Sequence, residues 1–240
     1  MKDTRSNSET KKLAGAQASR LIQDGMVVGI GTGSTVAYLI EELGRRVREE
    51  GIHIVGVPTS FQSRLMCGQL GIPVRDMQDC THLDLAIDGA DEVDPNLDVI
   101  KGGGGAQTRE KVVASMATEF VVIVDESKLV PALGTAFPIP VEVLPSSLAF
   151  VERVVREMGA TPTLRMGTAG KDGPVVTDNG QFLLDLRFAP GTDLRIADAK
   201  LHQTPGVIET GLFFDLARRV LVGSGSAEAP EVRTLTRAGS

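Results

Sequence analysis

The chain has no tryptophan, one tyrosine and eight phenylalanines in 240 residues, and its formal net charge is −6. Nucleic-acid surfaces need clustered cations and stacking rings, so that class is disfavoured. A small anionic ligand remains open wherever positive charge is gathered locally. No uninterrupted apolar run approaches the ~20 residues that cross a bilayer. The opening segment "MKDTRSNSETKK" lacks the apolar stretch of a secretory leader. A cytoplasmic protein with no membrane partner is the expectation. Cysteine occurs twice, and no C-x-x-C spacing joins Cys67 and Cys80 to His53 and His82 as a zinc site, so two unrelated buried thiols are expected. What the chain does have is a large apolar fraction, 42%, enough for a proper core.

Local patterning alternates strand and helix. Residues 8–24 carry Leu13, Ala14, Ala18, Leu21 and Ile22 at helical spacing, ending at Gly25. "MVVGIG" is too short and too β-branched for a helix, and "STVAYLIEELGRRVREEG" is an amphipathic helix that Gly51 should stop. The pattern recurs in "IHIVGVP" followed by "TSFQSRLMCGQLG", where Thr59 and Gln62 have capping-box spacing. It recurs again in "LDLAIDGADEVD", a glycine run, a helix over 106–117 and "EFVVIVDESK". Continuous apolar strands between helices predict a Rossmann-like α/β fold, with a mostly parallel sheet covered on both faces. Beyond Pro131 the grammar changes. A helix over 146–158, strands near 162–166, 174–177 and 181–188, a helix over 192–203 and "GVIETGLFF" predict a smaller ferredoxin-like α+β domain. The domains are then 1–131 with 212–240, and 132–211. The ending "GSGSAEAPEVRTLTRAGS" is small and polar, and is expected to fray.

Ligands of open parallel sheets bind beyond the carboxyl ends of the strands, which directs attention to four loops. "GIGTGST", residues 29–35, places Thr32, Gly33, Ser34 and Thr35 at a helix N-terminus, where unpaired N–H groups suit phosphate. It is a poor dinucleotide fingerprint, with Ser34 at the third glycine position, and it lacks the lysine of a Walker loop. A plain strand-to-helix turn explains it equally well. "DGADEVD", residues 88–94, holds four acids that should repel one another. Neither EF-hand spacing nor a nearby histidine supports metal, and carboxylates arranged around sugar hydroxyls would account for them. "KGGGGAQTREK", residues 101–111, sets four glycines before a helix, each costing roughly 0.5–1 kcal/mol against alanine in regular structure. Bare backbone there could form an anion nest beside Lys101. Glu110, near the helix N-terminus, is expected to be ionised at neutral pH, as a base must be. "VDESK" delivers Asp125 and Lys128.

These motifs, with "PIPVEVLP", "VVTDNGQFLLDL" and "PGVIETGLF", occur in the order and near the spacing of type A ribose-5-phosphate isomerase, which the chain resembles over about residues 10–215. The resemblance implies a metal-free, cofactor-free aldose-ketose isomerase of the non-oxidative pentose phosphate pathway. It would interconvert D-ribose 5-phosphate and D-ribulose 5-phosphate through a cis-enediolate. Glu110 would carry a proton between C2 and C1. Asp88 and Asp91, with the intervening Gly89 and Ala90, would serve ring opening and proton traffic. Lys101 and the N–H groups of Gly102, Gly103 and Gly104 would stabilise the enediolate oxygen. Thr32 to Thr35, Lys128 and Lys11 would contact phosphate and sugar. The partner is a phosphosugar, and the family commonly forms homodimers or homotetramers. Against the family pattern, Gly105 is a small change beside the nest, and "GTAGKDGP", residues 167–174, reads as a longer turn. A non-catalytic sugar-phosphate sensor on the same scaffold is the alternative. A nicotinamide-dependent dehydrogenase is disfavoured by the flawed fingerprint.

Overall fold

The computed structural model of the protein describes residues 4–168 and 170–237. Helix α1 (Thr4–Ser19) leads through a turn into β1 (Val27–Ile30), α2 (Ser34–Glu49), β2 (Val55–Pro58), α3 (Phe61–Gln69) and β3 (Leu83–Asp88). Short strands β4 (Glu92–Val93) and β5 (Val99–Ile100) precede α4 (Gln107–Met116) and β6 (Ala117–Asp125). Then come β7 (Ile139–Val143), α5 (Leu148–Glu157), β8 (Thr161–Leu164), β9 (Phe182–Arg187), α6 (Leu194–His202) and β10 (Val207–Thr210). Strands β11 (Leu212–Phe213), β12 (Ala217–Gly225) and β13 (Pro230–Thr236) close the chain. Helix α1 stops short of the expected Gly25 because the Arg46 guanidinium donates to the carbonyls of Ser19 and Ile22, which a longer helix would need for itself.

The main sheet has the order β13-β12-β6-β3-β1-β2, parallel except for β13. Its strands are apolar on both sides, as burial on both faces requires. Along β6, Val121 and Ile123 join Leu39, Ile40 and Leu43 of α2 on one face, while Phe120, Val122 and Val124 join Val113 and Ala114 of α4 on the other. The chain runs outward from β1 to β2, then crosses back to β3 on β1's other side. That reversal opens a crevice at the carboxyl ends of β1 and β3.

The antiparallel sheet has the order β10-β7-β9-β8, joined as β-α-β-β-α-β. Ile139, Val141 and Val143 pack with Val151, Val155 and Leu201 from α5 and α6. By the alternation of a strand, Pro140 and Glu142 of β7 and their cross-strand partners Asp185 and Leu183 of β9 face the other way, toward the glycine loop and α4. A third, three-stranded sheet, β11-β5-β4, joins the two larger ones.

Four expectations change. The ending does not fray: β12 and β13 form a hairpin, paired from Arg219↔Thr236 to Gly225↔Pro230, with residues 238–240 outside the described part. The capping box of α3 belongs to Ser60 and Ser63, because Thr59, one residue past β2, is still tied to β1, its N–H donating to the Ile30 carbonyl. Residues 174–177 make only two isolated bridges, Met166↔Pro174 and Val176↔Phe182, since Pro174 has no N–H to give a ladder. The longer turn expected over 167–174 stands, Gly167 N–H bonding to the Gly173 carbonyl, with position 169 outside the described residues. Finally, Cys67 is buried as expected, whereas Cys80 is half-buried; both are free. No helix among the described residues is long and apolar enough to cross a membrane.

Candidate active site

The crevice holds a cavity of about 160 Å³, built from segments that follow three neighbouring parallel strands and from the glycine loop before α4. Beyond β1, Gly33 is the N-cap of α2 with φ 115, and no side chain caps the helix. Its first-turn N–H groups therefore face the cavity beside Thr32, Ser34 and Thr35. Thr32 is held by hydroxyl contacts to Thr59 at 2.9 Å and Ser60 at 2.8 Å. From α1, Lys11 Nζ lies 3.3 Å from Ser34 Oγ and 3.8 Å from Asp125 Oδ2. Asp125 caps the short turn carrying Lys128, its Oδ1 accepting from Ser127 N–H at 2.9 Å. Two ammonium groups and a helix N-terminus thus share one end of the cavity, in a chain that is acidic overall.

The other end holds the carboxylates. Lys101 Nζ donates to the Gly89 carbonyl at 2.6 Å and lies 3.0 Å from Asp88 Oδ2 and 3.2 Å from Glu110 Oε2, all three side chains being buried. Asp88 Oδ1 accepts from the N–H groups of Thr32 at 3.0 Å and Gly89 at 2.7 Å. Glu110 Oε2 takes no aligned hydrogen bond in spite of its near neighbour. Burial, and then the charge of Asp88, push the Glu110 carboxyl up to about 8 against the pull of Lys101. This corrects the expectation of a carboxylate ionised at neutral pH: desolvation outweighs the helix dipole. Burial likewise raises Asp88. Burial works to lower Lys101, but the facing carboxyls outweigh it and leave the ammonium above its ordinary value.

Every residue expected at the site lines this cavity except Asp88. Lys11, Thr32 to Thr35, Gly89, Ala90, Asp91, Lys101, Gly102 to Gly104, Glu110 and Lys128 do so. Asp88 is still the last residue of β3, and its carboxylate is taken up by Lys101 and by the N–H groups of Thr32 and Gly89. Nor do the acids of 88–94 gather around a common centre. Asp91 Oδ2 accepts from Gly103 N–H at 2.7 Å. Glu92 accepts from the N–H groups of Gly134, Ala136 and Phe137, each at 2.6 Å, and Asp94 from Asn96 and Asp98. Of the three nest donors expected, Gly103 N–H is therefore occupied by Asp91.

A family model for ribose 5-phosphate isomerase A (phosphoriboisomerase A) matches residues 55–227. The chain is 50% identical over 228 residues to ribose-5-phosphate isomerase A of Thermosynechococcus vestitus, covering 95% of this chain and 96% of that one. It is 52% identical over 214 residues to that of Methanothermobacter thermautotrophicus, covering 89% and 93%. The chain belongs to the ribose 5-phosphate isomerase A family. Among solved structures, ribose 5-phosphate isomerase A of Methanocaldococcus jannaschii superposes with a TM-score of 0.89 at 45% identity, over 96% of this chain and 100% of that one. A D-ribose-5-phosphate isomerase in complex with phospho-erythronic acid superposes with a TM-score of 0.89 at 44% identity, over 95% and 98%.

Around this family member's cavity, three features escape a reading of motifs. Gly31 is one: a Cβ there would stand 2.0 Å from Asp88 Cγ, so the loop can pass only as glycine. The run "GIGTGST" carried that signal only in part, since Gly31 stands at the second glycine of the imperfect fingerprint, where close backbone approach is the expected need. Ile123 and Val124 form an apolar part of the wall, indistinguishable in sequence from core strand. Glu142 is the third. It accepts from Thr108 of α4, from Thr177 and from Asn179 Nδ2, while Arg109 Nε donates to Asn179 Oδ1 at 2.7 Å. This network ties the first turn of α4, and hence Glu110, to the antiparallel sheet.

Proposed function

We propose that this chain interconverts D-ribose 5-phosphate and D-ribulose 5-phosphate through a cis-enediolate. The observation that carries the reading is the convergence, in one cavity, of a phosphate-suited end (the α2 N-terminus, Lys11 and Lys128) and a proton-transfer end (Glu110, Lys101 and Asp91). The relative that binds phospho-erythronic acid fits this polarity, because that ligand joins a phosphate to a carboxylate whose paired oxygens resemble those of an enediolate.

In this reading the phosphate docks on the α2 N–H groups and the two lysines, which orients the reacting carbons without taking part in the chemistry. Glu110, once ionised, takes the proton from C2 and returns it to C1 on the same face, so one carboxylate serves both steps. Negative charge develops on the carbonyl oxygen, where the Lys101 ammonium and the N–H groups of Gly102 and Gly104 stabilise it. Asp91 handles proton traffic at the sugar oxygens. Asp88 is reassigned from substrate contact to holding Lys101 and the Thr32 loop. We further infer that the chain works as a homodimer or homotetramer in the cytoplasm. Exposed Phe61, Leu65, Val112 and Ile208 supply apolar surface for association.

The test is turnover of ribose 5-phosphate to the ketose, run beside Glu110→Gln. The variant should keep phosphosugar binding, read by calorimetry, and lose several orders of magnitude in kcat. Substantial turnover by the variant would remove Glu110 from the role of base.

A further inference from the structure

Arg165 lies outside the cavity and belongs to no motif singled out in the sequence, yet its guanidinium grips the glycine loop. We propose that Arg165, held by Asp185, is a positioning residue that fixes the Gly102–Gly103 and Gly103–Gly104 peptides, and so directs the Gly104 N–H at the reacting oxygen. The inference rests on the isomerase reading above.

The residue directly follows β8 and is braced on both sides of its own backbone. Its N–H donates to the Leu183 carbonyl and its carbonyl accepts from Val175 N–H, at 2.9 and 2.8 Å. Arg165 Nε donates to Asp185 Oδ2 at 2.9 Å and Nη2 to the other carboxylate oxygen, a two-point grip that fixes the plane of the fork. The remaining nitrogen, Nη1, reaches the carbonyls of Gly102 at 2.8 Å and Gly103 at 3.2 Å. The carbonyl and N–H of a trans peptide point to opposite sides. With the Gly102 carbonyl drawn to Arg165, the Gly103 N–H must point away, where it meets Asp91 at 2.7 Å. With the Gly103 carbonyl drawn the same way, the Gly104 N–H is turned from the antiparallel sheet toward the cavity that Gly104 lines.

The Gly102–Gly103 peptide is held besides by Gly105 N–H, which donates to the Gly102 carbonyl at 2.9 Å, and by Asp91, so the grip of Arg165 matters most at the next peptide, through the Gly103 carbonyl. Four successive glycines have no Cβ to restrict them, and Gly102 already occupies φ 108. A flipped peptide would put a carbonyl oxygen where an N–H is needed, reversing the sign of the local field at the point where negative charge develops. Arginine suits the task because one planar group serves a carboxylate and two carbonyls together; a lysine ammonium has no fixed fork to do so.

Parent, Arg165→Ala, Arg165→Lys and Asp185→Asn should be assayed together for ketose formation, with thermal unfolding of each. For Arg165→Ala we expect kcat to fall about 10- to 100-fold, with KM within about threefold and inhibition by inorganic phosphate unchanged, since the phosphate end is built from other elements. Added guanidinium should restore part of the lost kcat, and Arg165→Lys should fall between parent and alanine. Unchanged kcat, a loss confined to KM, or a kcat loss that guanidinium cannot repair would each overturn the proposal. Should Arg165→Ala fail to fold, near-isosteric Asp185→Asn decides by the same division between kcat and KM. An inactive parent would instead sink the isomerase reading, and is a separate measurement.

Discussion

Glu110 keeps its proton because burial beside Asp88 penalises a second negative charge more than one ammonium can offset. The consequence for catalysis is a rising limb. The ionised form is the base, so kcat/KM should increase with pH and level off above an apparent value near 8, as read from initial rates across pH 5.5–9.5, a range on the order of four pH units. A limb centred near 4.5 would show that Glu110 is not held in this way. The same shift has a stability counterpart of fixed sign. Below the unfolded value of 4.5 Glu110 is neutral in both states. Between there and about 8 the unfolded chain releases a proton that the folded chain retains, so this contribution to stability falls as pH rises and is lost above the folded value. Glu110→Gln, neutral throughout, should therefore melt above the parent at pH 9, and level with it near pH 4, in scanning calorimetry. The base was legible in "TREK"; its protonation was not, because burial by β3 and the glycine loop is a tertiary fact that no local motif reports.

At the scale of elements, the strands and helices of the main sheet were legible wherever an apolar run of four or more residues met a glycine or a cap. Two-residue strands such as β4, β5 and β11 carry no period to detect. Strand β13 was missed for a different reason. Its two packed residues, Val232 and Leu235, serve opposite faces of the sheet and are separated by Arg233 and Thr234, so no alternation marks the strand, while Glu231 and Arg233 give it the charged edge expected of a protected strand. Its contribution can be measured. A chain ending at Gly225 would expose Val220, Leu221 and Val222 of β12 at a new edge and give up the packing of Val232 and Leu235. That is worth roughly 3 kcal/mol or more, or about 6–12 °C in Tm for a domain of this size. A melting temperature unchanged by the truncation would mean that the hairpin is dispensable.

Across the whole molecule, the acids of 88–94 act as fasteners between regions. Glu92, on β4, is buried and takes three N–H groups from the segment entering β7, so it fastens the small three-stranded sheet to the antiparallel one through backbone N–H groups. Glu92→Gln would bring an amide N–H against the Gly134 N–H and should lower stability by about 1–3 kcal/mol. We expect a lower Tm by thermal unfolding, with kcat little changed below the transition; an unaltered Tm would deny Glu92 this fastening role. The change of grammar beyond Pro131 made the antiparallel sheet legible, but the seam was not, since contacts such as Thr108–Glu142 and Arg109–Asn179 pair residues 34 and 70 positions apart. One electrical consequence follows from the buried trio. With a proton retained near neutral pH, Asp88, Glu110 and Lys101 sum to zero, so a doubly negative guest meets neither pull nor push from them at the carbon end. The two ammonium groups and the open helix tip then decide which end of the sugar enters first.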